Sequence, residues 1–122
     1  MEHNQIHFRA EFTIEEGKID QYKKLVQEMS KAVEANEPDT LDYQFYLNRV
    51  ETKCIVHETY ATSEAVLAHN AGVASHTILP KIFSVSRISK FEVYGKPSEE
   101  LQKVLTNFSP QTYNQFAGFS RR

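Results

Sequence analysis

The sequence lacks the features of several large protein classes. Its one cysteine, Cys54, cannot form an internal disulfide, which favours a reducing compartment. Fourteen Lys and Arg residues against sixteen Asp and Glu give a formal charge of −2, so there is no basic excess for a phosphate backbone. Only four glycines are present, and none forms a GxGxxG or GxxxxGK loop. We therefore predict neither a nucleic-acid partner nor a nucleotide cofactor.

Long hydrophobic runs are also absent. No apolar segment approaches the roughly 20 residues of a membrane-spanning helix, and the first residues do not have the basic and apolar regions of a signal peptide. We predict a cytoplasmic protein without a membrane partner. At 122 residues and 40% hydrophobic content, the chain has the size of one domain with one core, so residues 1–122 are predicted to form a single domain.

Hydrophobic periodicity in the first half predicts two kinds of element. Residues 5–14 alternate strictly between apolar and polar, which is typical of a half-buried strand. Residues 16–36 carry apolar side chains every three or four positions, which predicts an amphipathic helix that Asn36 and Pro38 end. Residues 41–49 and 54–60 are predicted to pair as a β-hairpin.

The second half continues the alternation of helices and strands. Thr62 or Ser63 is predicted to cap a short helix that ends near Gly72, and Pro80 is predicted to kink or restart the next helical piece. Residues 87–94 form a predicted fourth strand, followed by a last helix and an irregular tail from Pro110. The order predicts an α+β fold of the ferredoxin-like, split βαβ kind, with a four-stranded antiparallel sheet.

One face of such a sheet needs a cover. Helices can cover one side, and in so small a chain the simplest cover for the other side is a second copy, so we expect a homodimer. Several aromatic residues near the C-terminus have no evident partner in the predicted monomer: Phe108, Tyr113, Phe116 and Phe119. The C-terminal segment, residues 98–122, is predicted either to pack along the partner subunit or to be a frayed terminus.

Three segments together resemble a known family. They are Glu58-Thr59-Tyr60 on the third strand, residues 63–69 ending in His69, and residues 93–101 after the fourth strand. With this pattern the chain, over most of residues 5–101, resembles the antibiotic biosynthesis monooxygenase domain of the dimeric α+β barrel superfamily. The resemblance implies a protomer that dimerises through its sheet, with a mostly apolar pocket between the sheet and the helices.

The resemblance also implies a reaction class. Characterised members add oxygen to aromatic polyketides or quinols without flavin or metal, and some relatives degrade haem. The sequence has no Trp, on which the haem-degrading relatives rely, so haem degradation is not expected. We expect a cofactor-independent monooxygenase that acts on a small aromatic quinol or polyphenol. The alternative is a non-catalytic ligand-binding or stress-response protein of the same fold.

Candidate catalytic residues follow from position and chemistry. Glu58 and Tyr60 lie two residues apart on a strand and share a face, and His69 lies one short helix later. A cofactor-free oxygenase needs a base for a phenolic proton; His69 is the first candidate and a desolvated Glu58 the second, with Tyr60 as an oriented donor. The competing interpretation is that Glu58 and His69 form a buried structural pair.

Further residues are expected near the pocket. The candidate substrate-binding residues are His76, Tyr46 and Asn70. For Tyr43, Tyr46 and Tyr94, packing in the core or at the dimer interface is the competing role. A metal site could be assembled from His57, Glu58, His69 and His76, but the first two are adjacent on a strand and face opposite ways, so no metal is predicted.

Overall fold

A computed structural model describes residues 4–121 and confirms the predicted order of elements and the α+β, ferredoxin-like class. In chain order the elements are β1 (Ile6–Ile14), α1 (Ile19–Asn36), β2 (Thr40–Leu47), β3 (Lys53–Tyr60), α2 (Ser63–Ala71), α3 (Val73–Thr77), α4 (Leu79–Phe83), β4 (Ser86–Tyr94), α5 (Glu99–Leu105) and β5 (Gln111–Tyr113). Over these described residues, none of the helices combines the length and the apolar character needed to cross a bilayer.

The sheet has the strand order β2-β3-β1-β4-β5. β1 pairs antiparallel with both β3 and β4, and β2 pairs antiparallel with β3, as the predicted hairpin requires. The prediction of four strands omitted β5, which pairs parallel with β4 from Glu92↔Gln111 to Tyr94↔Tyr113. Three residues are too few to show a period of two, so no sequence pattern indicated this strand.

The alternation in β1 separates the two faces of the sheet. We call the side that carries Phe8, Ala10 and Phe12 the inner face; these side chains are buried. We call the other side, which carries His7 and Arg9, the outer face; its side chains are partly exposed. α1 packs on the inner face through its apolar stripe: Tyr22, Leu25, Val26, Met29 and Val33.

Short helices cover the rest of the inner face. The Thr62 side chain accepts a hydrogen bond from the Ala65 backbone N–H at 3.1 Å and so caps α2, as predicted. α2 ends at Ala71, with Gly72 as its C-cap, and α3 starts directly after Gly72. Pro80 lies in the first turn of α4, where a missing N–H does no harm, so this proline marks a restart and not a kink.

The C-terminal segment packs partly on its own protomer. Ser98 caps α5, whose Leu101 and Leu105 are buried. The Phe108 ring lies 6.0 Å from that of Phe91, and the Tyr113 ring stacks on Tyr94 at 5.3 Å. The expectation that these two aromatics lack partners in the monomer was therefore wrong, whereas Phe116 and Phe119 are 99% and 76% exposed.

Candidate active site

A pocket lies between the inner face and the helices. Its walls are mostly aromatic and aliphatic, with Phe8, Ala10 and Phe12 of β1 on the sheet side and Leu79 and Ile82 on the helix side. The free space inside is about 90 Å³. The few polar groups that reach an apolar pocket of this kind fix the orientation of a ligand and carry any chemistry.

The first polar group is an imidazole held by a carboxylate. Glu37 follows the last residue of α1, and its Oε1 lies 2.6 Å from Nδ1 of His69, which is 5% exposed. Thr40 donates its hydroxyl to the same carboxylate oxygen at 3.0 Å, which fixes the carboxylate in turn. A carboxylate at Nδ1 selects the tautomer that has its proton there and leaves Nε2 with a free lone pair.

The position of His69 brings its imidazole to the wall of the pocket. His69 lines the pocket, and within residues 4–121 its Nε2 has no hydrogen-bond partner. The backbone around it is fixed by Ser75, whose hydroxyl donates to the His69 carbonyl at 2.6 Å. The arrangement suits a general base: an imidazole oriented by a carboxylate at the wall of the ligand space.

The second polar group is a carboxyl held by a phenol. Glu58 lines the pocket, and Tyr60, on the same face of β3, donates its hydroxyl to Glu58 Oε1. Burial raises the pKa of the Glu58 carboxyl, an effect that the nearby His69 and the bond from Tyr60 only partly offset. Burial likewise raises the pKa of Tyr60 well above its ordinary value, so Tyr60 remains a donor.

Aromatic rings enclose the imidazole. The ring of Tyr43 lies 5.7 Å from that of His69, and the ring of Tyr60 lies 5.4 Å from it. Burial raises the pKa of Tyr43 well above its ordinary value, with a further contribution from Glu58. These rings exclude water from the imidazole and limit its rotation.

The structure brings only some of the predicted site residues together. His69, Glu58 and Asn70 line the pocket, and Tyr60 supports Glu58. The expected Glu58–His69 hydrogen bond is not formed within the described residues, because each side chain has a different partner, Tyr60 and Glu37 respectively.

Tyr46 and His76 do not line the pocket, which corrects their prediction as substrate-binding residues. Tyr46 is 55% exposed and packs edge-on against His57 on the outer face, because the alternation along β2 turns Tyr43 and Phe45 inward. His76 is exposed on α3, because the break at Gly72 changes the direction in which side chains after α2 project.

Two residues, one behind the pocket wall and one in it, were not singled out as site residues from the sequence. Glu37 stood between Asn36 and Pro38 as part of a helix-ending signal, and its contact with His69 joins residues 32 positions apart. Tyr22 was assigned to the apolar stripe of α1, and it also lines the pocket. No local spacing indicates either contact.

The residues considered for a metal are divided between the two faces. His57 lies on the outer face, where its Nδ1 is 3.3 Å from His7 Nε2, whereas Glu58 faces the pocket. Among residues 4–121, no three His, Cys, Asp or Glu side chains are grouped so that they could hold a metal ion.

Comparison with known proteins identifies the family. Residues 6–79 match the sequence model of the antibiotic biosynthesis monooxygenase family. The chain belongs to this family. The match includes β1, α1, the hairpin and α2, which together carry Glu37, Glu58 and His69. No curated protein matches the sequence.

Solved structures agree with this assignment. MupZ from Pseudomonas fluorescens is 26% identical, with 97% of this chain and 95% of that chain covered and a TM-score of 0.81. SnoaB, a cofactor-independent oxygenase from Streptomyces nogalater, is 10% identical, with 78% and 95% covered and a TM-score of 0.67. A conserved protein from Methanosarcina mazei Go1 is 15% identical, with 78% and 95% covered and a TM-score of 0.67. The last two share the fold.

Proposed function

We propose that this family member is a cofactor-independent monooxygenase that oxidises an aromatic quinol or another polyphenol in the inner-face pocket. The observation that carries the proposal is the Glu37–His69 pair, which holds an oriented imidazole at the wall of a mostly apolar pocket. The family assignment and the shared fold with an oxygenase support the reaction class.

The first step is removal of a phenolic proton by His69 Nε2. A phenol of pKa about 10 and an imidazole of pKa about 6.5 differ by roughly 3.5 pH units, which is about 5 kcal/mol against transfer. Glu37 reduces this free-energy cost of proton transfer because its carboxylate stabilises the imidazolium that forms. Hydrogen-bond donors around the new phenolate supply the remaining stabilisation that the proton transfer needs.

The second step uses dioxygen as the only oxidant. The phenolate transfers one electron to dioxygen, and the resulting radical and superoxide combine to form a carbon–oxygen bond at a ring carbon. The proton held by His69 passes to the peroxide. The O–O bond then breaks as that carbon loses its hydrogen as a proton, and water leaves. The net reaction is quinol plus dioxygen to hydroxyquinone plus water, which balances without another reductant.

Glu58 and Tyr60 have a supporting role in this scheme. Burial raises the pKa of Glu58 and so favours its protonated form. A protonated Glu58 whose other oxygen accepts from Tyr60 can donate a hydrogen bond to the phenolate. The pocket then combines a base for the substrate proton with a donor for the substrate anion.

The size of the pocket requires its mouth to open. A cavity of about 150 Å³ holds benzene, whereas this pocket encloses about 90 Å³. Phe83 and Phe108 line the pocket and are 38% and 48% exposed, so they can move without breaking the core. We propose that these two side chains swing outward to admit the aromatic ring.

The proposal includes a homodimer formed through the outer face. That face carries partly or largely exposed rings that lack a cover within the described protomer, and His57 contacts both His7 and Tyr46 there. An aromatic surface of this kind is typical of a protein interface.

Oxygen uptake tests the proposed activity. Metal-stripped wild-type protein is given a panel of hydroquinones and anthrone-like phenols beside His69→Gln, with His76→Gln as a matched exposed histidine. We expect uptake above the buffer rate for wild type and His76→Gln, and a loss of at least about 100-fold for His69→Gln. Equal rates for all three proteins and buffer, with the aromatic ligands still bound, would instead support the ligand-binding alternative.

A further inference from the structure

Gly72 separates α2 from α3 without the backbone conformation that often requires a glycine at a helix end. Its φ is −76° and its ψ is 165°, a conformation that any residue adopts. The other three glycines of the chain, Gly17, Gly95 and Gly118, all have a positive φ, where a side chain is disfavoured. The backbone therefore gives no reason for a glycine at position 72, and the reason has to be sought in the space around it.

A carboxylate occupies part of the space that a side chain at position 72 would need. A Cβ atom on Gly72 would lie 3.3 Å from Oε2 of Glu37. It would lie at the same distance of 3.3 Å from the backbone carbonyl oxygens of Ala68 and His69. These distances are shorter than an ordinary van der Waals contact, so a side chain at this position would displace at least one of its neighbours.

The neighbour that can move is the Glu37 carboxylate. The His69 carbonyl is held from two sides, because it accepts a hydrogen bond from the Gly72 N–H at 3.1 Å and one from the Ser75 hydroxyl at 2.6 Å. Both carbonyls, those of Ala68 and His69, belong to the backbone of α2. The carboxylate is the end of a flexible side chain, so its displacement is the least costly response.

A displaced carboxylate would hold the imidazole less well. Its two oxygens belong to one rigid planar group, and Oε1 is the atom that lies 2.6 Å from His69 Nδ1 and accepts from the Thr40 hydroxyl at 3.0 Å. A movement of Oε2 therefore shifts or rotates Oε1 as well. Because hydrogen bonds weaken steeply as they lengthen or bend, a small movement weakens the bond to His69.

We propose that Gly72 is a positioning residue for the Glu37–His69 pair. Its lack of a side chain leaves the room in which the Glu37 carboxylate meets the imidazole. Gly72 is not among the residues that line the inner-face pocket; it lines a separate surface groove together with Glu37. The inference deepens the proposed function: its consequence for turnover rests on His69 as the base, whereas its consequence for the imidazole does not.

The Nδ1 proton of His69 reports this contact directly. A proton held in a short bond to a carboxylate gives a far-downfield signal in a nitrogen–proton correlation spectrum, and a weakened bond moves that signal upfield or removes it through exchange with water. We expect the wild type and Val73→Ala to show the same downfield signal, and Gly72→Ala to shift or lose it. Val73 is the matched control, because it follows Gly72 directly and is 74% exposed.

Turnover in paired variants tests whether Gly72 acts through Glu37. We expect Gly72→Ala to lower kcat for oxygen uptake by about tenfold, with KM within about threefold of the wild type. In a Glu37→Gln background, where the charged partner is already gone, we expect Gly72→Ala to lower kcat by less than about twofold further. A glycine that only maintains the helix end would cause the same loss in both backgrounds.

Melting temperatures keep the inference testable if Gly72→Ala folds poorly. Glu37→Ala removes the carboxylate and leaves the two backbone carbonyls in place. We expect Gly72→Ala to lower the melting temperature less in that background than in the wild type, because no bond to His69 is left to lose. Equal lowering in both backgrounds, or failure to fold in both, would mean that the carbonyls alone exclude the side chain and would overturn the inference.

Two spectra would also overturn it: an Nδ1 signal in Gly72→Ala that matches the wild type, and a wild type without a bonded proton on His69 Nδ1. The experiments separate this inference from the proposed function. A signal that depends on Gly72, in a protein without His69-dependent oxygen uptake, would reject the oxygenase and leave Gly72 as a positioning residue. His69-dependent uptake with an unchanged signal in Gly72→Ala would do the reverse.

Discussion

The two faces of the sheet differ in how far their polar side chains are hydrogen-bonded. On the outer face the polar groups satisfy one another: His7 bonds to Thr59 at 2.7 Å, and Tyr94 donates to Glu92 at 2.7 Å. On the inner face the polar groups are few, and some of them form no hydrogen bond. Neither His69 Nε2 nor the Tyr22 hydroxyl has a hydrogen-bond partner within residues 4–121. Alternation along the same strands produces both faces, so the difference reflects the side chains placed there.

This contrast separates a packing surface from a site. Mutual hydrogen bonds on the outer face leave its polar groups little to offer a small ligand, and that face is suited to packing against another protein surface. The inner face holds oriented but unsatisfied groups in an apolar space, which is the arrangement that recognises and activates a ligand. Substitutions on each face test whether the outer face is a packing surface and the inner face a ligand site. Their expected effects range from a large loss of turnover to a small change in stability.

The largest effect is expected when the carboxylate behind His69 is neutralised. Glu37→Gln keeps the shape of the side chain but removes the charge that orients the imidazole and stabilises its protonated form. We expect kcat for oxygen uptake to fall by about 100-fold or more, with ligand affinity within about threefold of the wild type. Steady-state kinetics beside titration calorimetry would reveal an unchanged kcat, which would remove Glu37 from the mechanism.

A charge introduced on the outer face should weaken the homodimer and leave the pocket unchanged. Tyr46→Lys places a charge on an exposed outer-face residue, and two copies across a homodimer interface would repel each other. We expect the dimer dissociation constant to rise at least about tenfold, as measured by light scattering over a dilution series. Gln27→Lys, on an exposed position of α1, is the matched control. If both variants have the same mass as the wild type, the outer face is not the interface.

Neutralising Glu58 should alter the pH dependence of stability. Burial raises the folded-state pKa of Glu58 above 4.5, so the folded protein binds this proton more tightly than the unfolded chain. The free energy of unfolding therefore falls as pH rises from about 4.5 through the raised folded-state pKa. The fall is about 1.4 kcal/mol for each pH unit that separates the folded-state pKa from the unfolded-state pKa.

The variant Glu58→Gln carries no titrating carboxyl at this position but can still accept a bond from Tyr60. We expect its gain in stability relative to the wild type to be larger at pH 7 than at pH 4. Urea unfolding at both pH values measures the difference. A gain of equal size at both pH values would mean that the pKa of Glu58 is not raised by folding.

The smallest effect is expected from an outer-face ion pair. Arg9 lies 3.5 Å from Glu92, with side chains 36% and 23% exposed, and such pairs contribute little. We expect Arg9→Ala, studied below the concentration at which the protein associates, to change the free energy of unfolding by less than about 1 kcal/mol and to leave ligand affinity unchanged. A larger change in affinity would show that the two faces are coupled.

Alternation and helical spacing predicted most of the fold from the sequence. The strict pattern in residues 5–14 predicted β1 and its inner face, and two residues of spacing placed Glu58 and Tyr60 together. The short strand β5 was missed, because three residues carry no measurable period.

The site was predicted less completely, because its decisive contacts join distant parts of the chain. Glu37 meets His69 across 32 positions, and only the folded structure reveals that contact. Tyr46 was an avoidable error: it alternates with Tyr43 and Phe45 along β2, so its position already indicated the outer face. Tyr22 has the spacing of a core residue, and no sequence pattern shows that its hydroxyl is unpaired.

The position of the ring proton on His69 decides whether this residue can be the base of the pocket. A nitrogen-15 NMR spectrum of the labelled protein, with and without naphthalene-2,6-diol, reports which ring nitrogen holds the proton. The structure predicts a proton on Nδ1 that is bonded to Glu37, with an Nε2 resonance that moves when the diol binds. A proton on Nε2 instead of Nδ1, or an Nε2 resonance unaffected by the bound diol, would contradict the assignment of His69 as the base of this pocket.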